Sequence, residues 1–206
     1  MKLHFVKIGI VMLLSCVATA AQEKAEYSID STKSKLEINV YKEGVFKAFG
    51  HNHLIIAKQM SGGVQFDPKK IESSAVNLKV ETKSLTVSPQ GEPEKDRQDV
   101  QTTMSGERVL DVAKYPEIAF SSTGVSAVKT TGDGWTLTLS GKLTLHGVEK
   151  PIRLPVAVHV NGNQLQAQGK VSLLQTDYGI KPVKAGGGAV TVKDELKISF
   201  DIVAAK

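Results

Sequence analysis

IRLPVAVHVNGNQLQAQGKVSLL, residues 152–174, decides how this chain folds. Ile152, Leu154, Val156, Val158 and Val160 alternate with Arg153, Pro155, Ala157 and His159. After Asn161-Gly162-Asn163 a second ladder follows: Leu165, Ala167, Gly169, Val171 and Leu173. Successive side chains of a strand point to opposite faces, so each ladder gives a strand with one apolar face. An Asn-Gly step between two such runs favours a tight hairpin. These residues therefore predict two antiparallel neighbours.

The same period extends outward in both directions. Leu36, Ile38 and Val40 form one ladder; Val76, Leu78 and Val80 another; Ile118 and Phe120 a third. Trp135, Leu137 and Leu139 continue past Gly141 to Leu143 and Leu145, and Leu196, Ile198, Phe200 and Ile202 come last. Ser61-Gly62-Gly63, Asp67-Pro68 and Gly132-Asp133-Gly134 read as turns. Residues 96–111, DRQDVQTTMSGERVLD, break the period, with Val100 and Met104 four apart, and predict a short helix ended or interrupted at Gly106. The expected fold class is all-β: about eight antiparallel strands in a closed barrel with one short side helix. Closure removes the exposed strand edges that invite aggregation.

The chain opens MKLHFVKIGIVMLLSCVATA, a basic end, a short apolar core and a small-x-small site. That order predicts a secretory signal over residues 1–20, too short in its apolar part to span a membrane. Export to the periplasm follows, and the domain occupies 21–206. Leu13-Leu14-Ser15-Cys16 also resembles a lipoprotein ending, in which Cys16 would carry the lipid anchor. Cys16 is the chain's only cysteine, so no internal disulfide is expected. The formal charge of +5 falls to +3 without Lys2 and Lys7, and no run of Lys and Arg occurs. Nucleic acid is therefore excluded as a partner. With one Trp and four Tyr, the chain lacks the aromatic girdles of an outer-membrane barrel.

The opening SKLEINVYKEGVFKAFGHNH (34–53), YPEIAFSST (115–123), KLTLHGVEKPIRLPV (142–156) and QTDYGIKPVKAGGGAVTVKDELKISFDI (175–202) resemble, in that order, segments of the YceI-like family of exported lipid-binding proteins. The resemblance spans nearly the whole expected mature chain. It implies a lipocalin-like extended barrel holding a long isoprenoid-tailed lipid, with no catalytic activity and no cofactor. Two departures stand out. GHNHLI replaces the single His-Leu of common members, suggesting a subgroup with a Gly-His-x-His opening. Asp96-Arg97-Gln98-Asp99 stands where an Arg-Asp pair enters the helix.

On this reading the tunnel wall comes from the ladders: Val76, Leu78, Val80, Ile118, Phe120, Leu137, Leu139, Leu154 and Val156. A one-residue error would turn every one of them outward. His51, His53, Arg97 and Tyr178 are candidates for contact with the ligand's polar head at the mouth. His51 and His53 share a strand face, so metal binding, head contact and plain structural hydrogen bonding all stay open; a metal or stress-related envelope role is the rival function. Asp96, Arg97 and Asp99 read either as a head-group site or as helix capping with a solvated charge cluster. Tyr178 reads as tunnel lining or as turn packing. Gly186-Gly187-Gly188 precedes a strand and reads as a turn, not a phosphate cradle. No Gly-x-Ser-x-Gly, His-Glu-x-x-His or Cys-x-x-Cys occurs, so no enzyme motif supports catalysis. The oligomeric state, a homodimer included, is left open.

Overall fold

The computed structural model describes residues 24–43, 52–90, 93–188 and 190–206. The expected signal segment with Cys16, and His51, lie outside them. Twelve β-segments form one sheet: β1 (Ala25–Ile29), β2 (Lys35–Glu43), β3 (His53–Ala57), β4 (Met60–Phe66), β5 (Ala75–Glu81) and β6 (Leu85–Val87) precede the helix α1 (Glu94–Ser105). β7 (Glu117–Thr130), β8 (Gly134–Leu145), β9 (Val148–Asn161), β10 (Gln164–Leu174), β11 (Lys184–Ala185) and β12 (Val190–Ala205) follow it. Around the molecule the order is β1-β4-β5-β7-β8-β9-β10-β12-β2-β3-β6, all pairs antiparallel, and β12 pairs with both β1 and β2.

Eight long strands thus close a barrel, because six of the segments are halves of three bent strands. β1 and β2 lie end to end along β12; β3 and β4 lie along β2 and β1; β5 and β6 lie along β4 and β3. The three breaks fall side by side. In the first, the Asp30 carboxylate accepts from the Thr32 amide at 3.0 Å and the Thr32 hydroxyl at 2.6 Å, turning the chain over residues 30–34. The Ser31 hydroxyl then donates to the Lys58 carbonyl and accepts from the Met60 amide, bridging to the second break. At the third, Ser84 Oγ accepts from the Gln59 amide at 3.0 Å and donates to the Glu81 carbonyl at 2.8 Å, while the buried Thr82 hydroxyl donates to the Tyr115 carbonyl. Hydroxyls thus satisfy backbone groups that an unbroken ladder would have paired.

The hairpins at 161–163 and 131–134 form as the sequence predicts; Gly162 takes φ +57°, a conformation open to glycine at little cost. Ser61-Gly62-Gly63 does not turn. It lies within β4, where a Cβ on Gly62 would stand 2.1 Å from the Asn77 carbonyl oxygen of β5. These glycines serve close strand approach rather than reversal. The helix begins earlier than expected, at Glu94 after Pro93, and ends at Gly106, the residue expected to end or interrupt it; turns follow over 107–110. No side chain caps its start, contrary to the capping reading of Asp96, although Glu94 and Asp96 in the first turn complement its dipole. Among the described residues, no helix is long and apolar enough to cross a membrane.

Candidate functional site

The barrel encloses a cavity of about 680 Å³. That lies within the ~300–1,000 Å³ common for small-molecule sites. Ladders from all eight strands face it, including Leu36, Ile38 and Val40 of β2 and Ile198, Phe200 and Ile202 of β12. All nine residues expected on the tunnel wall, from Val76 to Val156, line it. A bulge in β7 between Ser122 and Gly124 shifts the alternation by one residue, bringing Val125 inward opposite Leu139.

Two glycines shape the bore. Gly141 and Gly169 occupy ladder positions between inward-facing neighbours, Leu139 and Leu143 in one case, Ala167 and Val171 in the other. A Cβ on Gly141 would stand 2.4 Å from the Phe120 ring, and one on Gly169 would stand 2.4 Å from the Phe200 ring. The missing side chains let both rings lie close to the wall of the neighbouring strand.

The two ends differ. At the end where β4 and β9 finish, the wall is Phe66, Ile71 and Leu165, all buried, with Phe66 braced edge-on by Trp135 at 5.4 Å. Ser74 is the polar lining residue there. At the opposite end, where β2 finishes, β3 begins and α1 packs beside β6, the lining includes Tyr41, Lys42, His53, Asp96, Asp99, Thr103 and Gln175. The cavity is therefore an apolar lumen with a polar end.

His53 sits at this polar end, half-buried and in register with Val40. Its expected companion His51 lies outside the described residues, as does Gly50, so only Asn52 and His53 of the Gly-His-x-His feature are described. Arg97 is not on the cavity wall, contrary to expectation. Asp96, Asp99, Val100, Thr103 and Met104 share the helix face that is, whereas Arg97 pairs one turn back with Glu94, Nε to Oε2 at 2.9 Å. This pairing and a further bond from Gln98 hold the Glu94 carboxyl below its usual range.

Tyr178 takes the second of its two readings, packing of the turn. Its ring is 3% exposed and packs among core residues such as Leu173 and Ile180 rather than on the cavity wall. Burial pushes its hydroxyl pKa up, with the Asp177 charge adding to the effect. His146 Nδ1 lies 3.3 Å from the Tyr178 carbonyl oxygen, and its ring packs on Tyr115 at 4.5 Å. His159, near Asp133, sits at the other end of the barrel. Among the described residues, no group of three or more His, Cys, Asp or Glu side chains could hold a metal ion.

Sequence reasoning missed Gln175, Tyr41, Lys42 and Thr103. The signal for Gln175 was present, since it continues the alternation of Leu173 beyond β10. Lys42 likewise continues that of Val40.

Comparison with known proteins agrees with this architecture. A model of the YceI-like domain matches residues 27–204. A UPF0312 protein of Pseudomonas syringae pv. syringae is 36% identical over 155 residues, 72% of each chain. Protein YceI of Salmonella arizonae is 28% identical over 185 residues, covering 84% of this chain and 88% of that one. Among solved structures, BcnA of Burkholderia cenocepacia superposes with a TM-score of 0.65 at 22% identity, covering 85% of this chain and 98% of its own. A YceI protein of Campylobacter jejuni gives 0.55 at 15% identity, covering 74% and 84%. With the match running through nearly every strand of the closed barrel, the chain belongs to the YceI-like family.

Proposed function

We propose that this protein binds a long-chain, isoprenoid-type lipid, holding the tail in the barrel lumen and the head at the polar end, and so sequesters or carries it through water. The observation that carries this reading is the division of one cavity into an apolar lumen and a polar end. Burying an apolar tail is worth about 0.8 kcal/mol per methylene-sized group before the cost of ordering it. A lumen walled by Val, Leu, Ile and Phe offers such a tail the environment that water denies it. Polar groups gathered at one end suit a molecule that is polar at one end.

Export belongs to the same proposal. It is supported by the basic, apolar and small-residue order of residues 1–20. A carrier outside the cytoplasm would meet lipids that cannot cross water unaided.

Filling the lumen tests the reading. Leu139→Trp and Val156→Trp place large rings on diagonally neighbouring wall positions of the adjacent strands β8 and β9. Variants that keep the wild-type circular dichroism spectrum are expected to lose binding of a fluorescent isoprenoid alcohol. Unchanged affinity in both would refute a lumen site.

A further inference from the structure

We propose that Gln175 recognises the ligand's head: its side-chain oxygen accepts a hydrogen bond from a hydroxyl, phenol or N–H group at the end of the apolar tail. The inference rests on the lumen reading above and narrows its ligand to one class, apolar chains ending in a hydrogen-bond donor.

Gln175 follows the last residue of β10 and opens a turn over Gln175–Tyr178. It lines the cavity yet is only 5% exposed, with apolar Leu173, Ile180, Val183 and Val192 also on the wall. Its Nε2 donates to the Lys193 carbonyl of β12 at 2.9 Å. That bond fixes the amide's direction, because reversing it would set oxygen against oxygen. Oε1 is therefore left as an acceptor, and among the described residues no donor meets it. A buried acceptor without a partner is costly, and a donor brought by a ligand removes that cost.

The turn is built to hold this position. The Thr176 amide and hydroxyl both donate to Asp194, at 2.9 and 2.6 Å. The Ile180 amide donates to the Gln175 backbone carbonyl, and Gly179 at φ +74° closes the turn. A head placed here meets a fixed acceptor. Ethers, quinones and ionised carboxylates offer it no proton and are the heads the site disfavours.

Two probes with the same tail and different heads test this: geranylgeraniol and its methyl ether. The wild-type protein is expected to bind the alcohol about tenfold more tightly, the scale of one buried hydrogen bond. Gln175→Met removes the acceptor and should bind both alike. Gln175→Glu is measured at pH about 5, where burial holds its carboxyl protonated. It then donates to the Lys193 carbonyl through its O–H, keeps a carbonyl acceptor and should keep the preference, so the test survives if the Met variant fails to fold. Equal wild-type affinities would overturn the proposal, as would a preference that persists in Gln175→Met or disappears in Gln175→Glu. If the wild type binds neither probe, the lumen reading itself fails, an outcome distinct from equal binding.

Discussion

At Gly141 a single hydrogen atom sets how wide the lumen is. An added Cβ would meet the Phe120 ring at 2.4 Å and the Ser121 carbonyl at 2.6 Å. The ring lines the lumen and would have to shift, and the carbonyl belongs to the β7–β8 ladder, whose pairing would have to give. Gly141→Ala is therefore expected to lower stability by about 1–3 kcal/mol and to weaken binding of a long-chain probe. Urea melts with parallel binding titrations check both; an unchanged melt would show that Phe120 has room to spare. Leu78 and Phe120 were readable in advance as lining because period two carries direction as well as strand. Gly141 was not readable this way, since a glycine in a ladder says only that something comes close. Arg97 and Tyr178 each allowed two readings for a related reason. Charge and a polar tip suggest a mouth, but their directions depend on helix phase and on the turn after β10, which composition does not encode.

The three bent strands owe their shape to a seam of hydroxyls at the level of the breaks. Ser84 carries two of the seam's bonds and is 8% exposed. Ser84→Ala would strand the Gln59 amide, at a cost of about 1–3 kcal/mol, readable as a lower urea midpoint. An undiminished midpoint would mean that the ladder heals without the hydroxyl. Asp30 anchors the other side of the seam. Its carboxyl is held below the usual range, chiefly by the Thr32 hydroxyl and then by Lys33. Such a group stabilises the fold above the ordinary carboxylate pKa and loses that contribution as pH falls through its lowered folded value. The wild type should thus lose stability below pH about 4 more steeply than Asp30→Asn, as thermal melts across pH 2–6 would show. Parallel curves would remove Asp30 from the acid response. None of these breaks was legible in the sequence. Ser, Thr, Gln and Lys at 31–34, 58–59 and 82–84 are ordinary loop residues, and only the neighbouring strands reveal that they align. The helix was legible from Val100 and Met104 and its end from Gly106, but its start was set by Pro93, which the spacing of two apolar residues does not locate.

As a whole, the molecule is an eight-strand barrel that closes on itself and leaves its centre unfilled. Ladders from distant parts of the chain agree on one inward face, and this made barrel and lumen the most legible features. The polar end was less so, because it is assembled from β2 and β3, α1 and the turn after β10, three separate stretches of the sequence. A ligand that binds only the folded barrel must stabilise it, by about 2.7 kcal/mol at a hundredfold excess over Kd. Solvent-stripped protein should therefore melt at a lower temperature than the protein as purified, and adding an isoprenoid alcohol should restore the difference. Equal melting temperatures would mean that nothing had been removed from the lumen. The most direct measurement is native mass spectrometry of the protein purified from its own host, with organic extraction of the same sample. The account predicts a bound species of several hundred daltons that extracts into solvent and carries a donor-bearing head on a long apolar tail. A protein that flies at its bare polypeptide mass and yields no extractable lipid would contradict it.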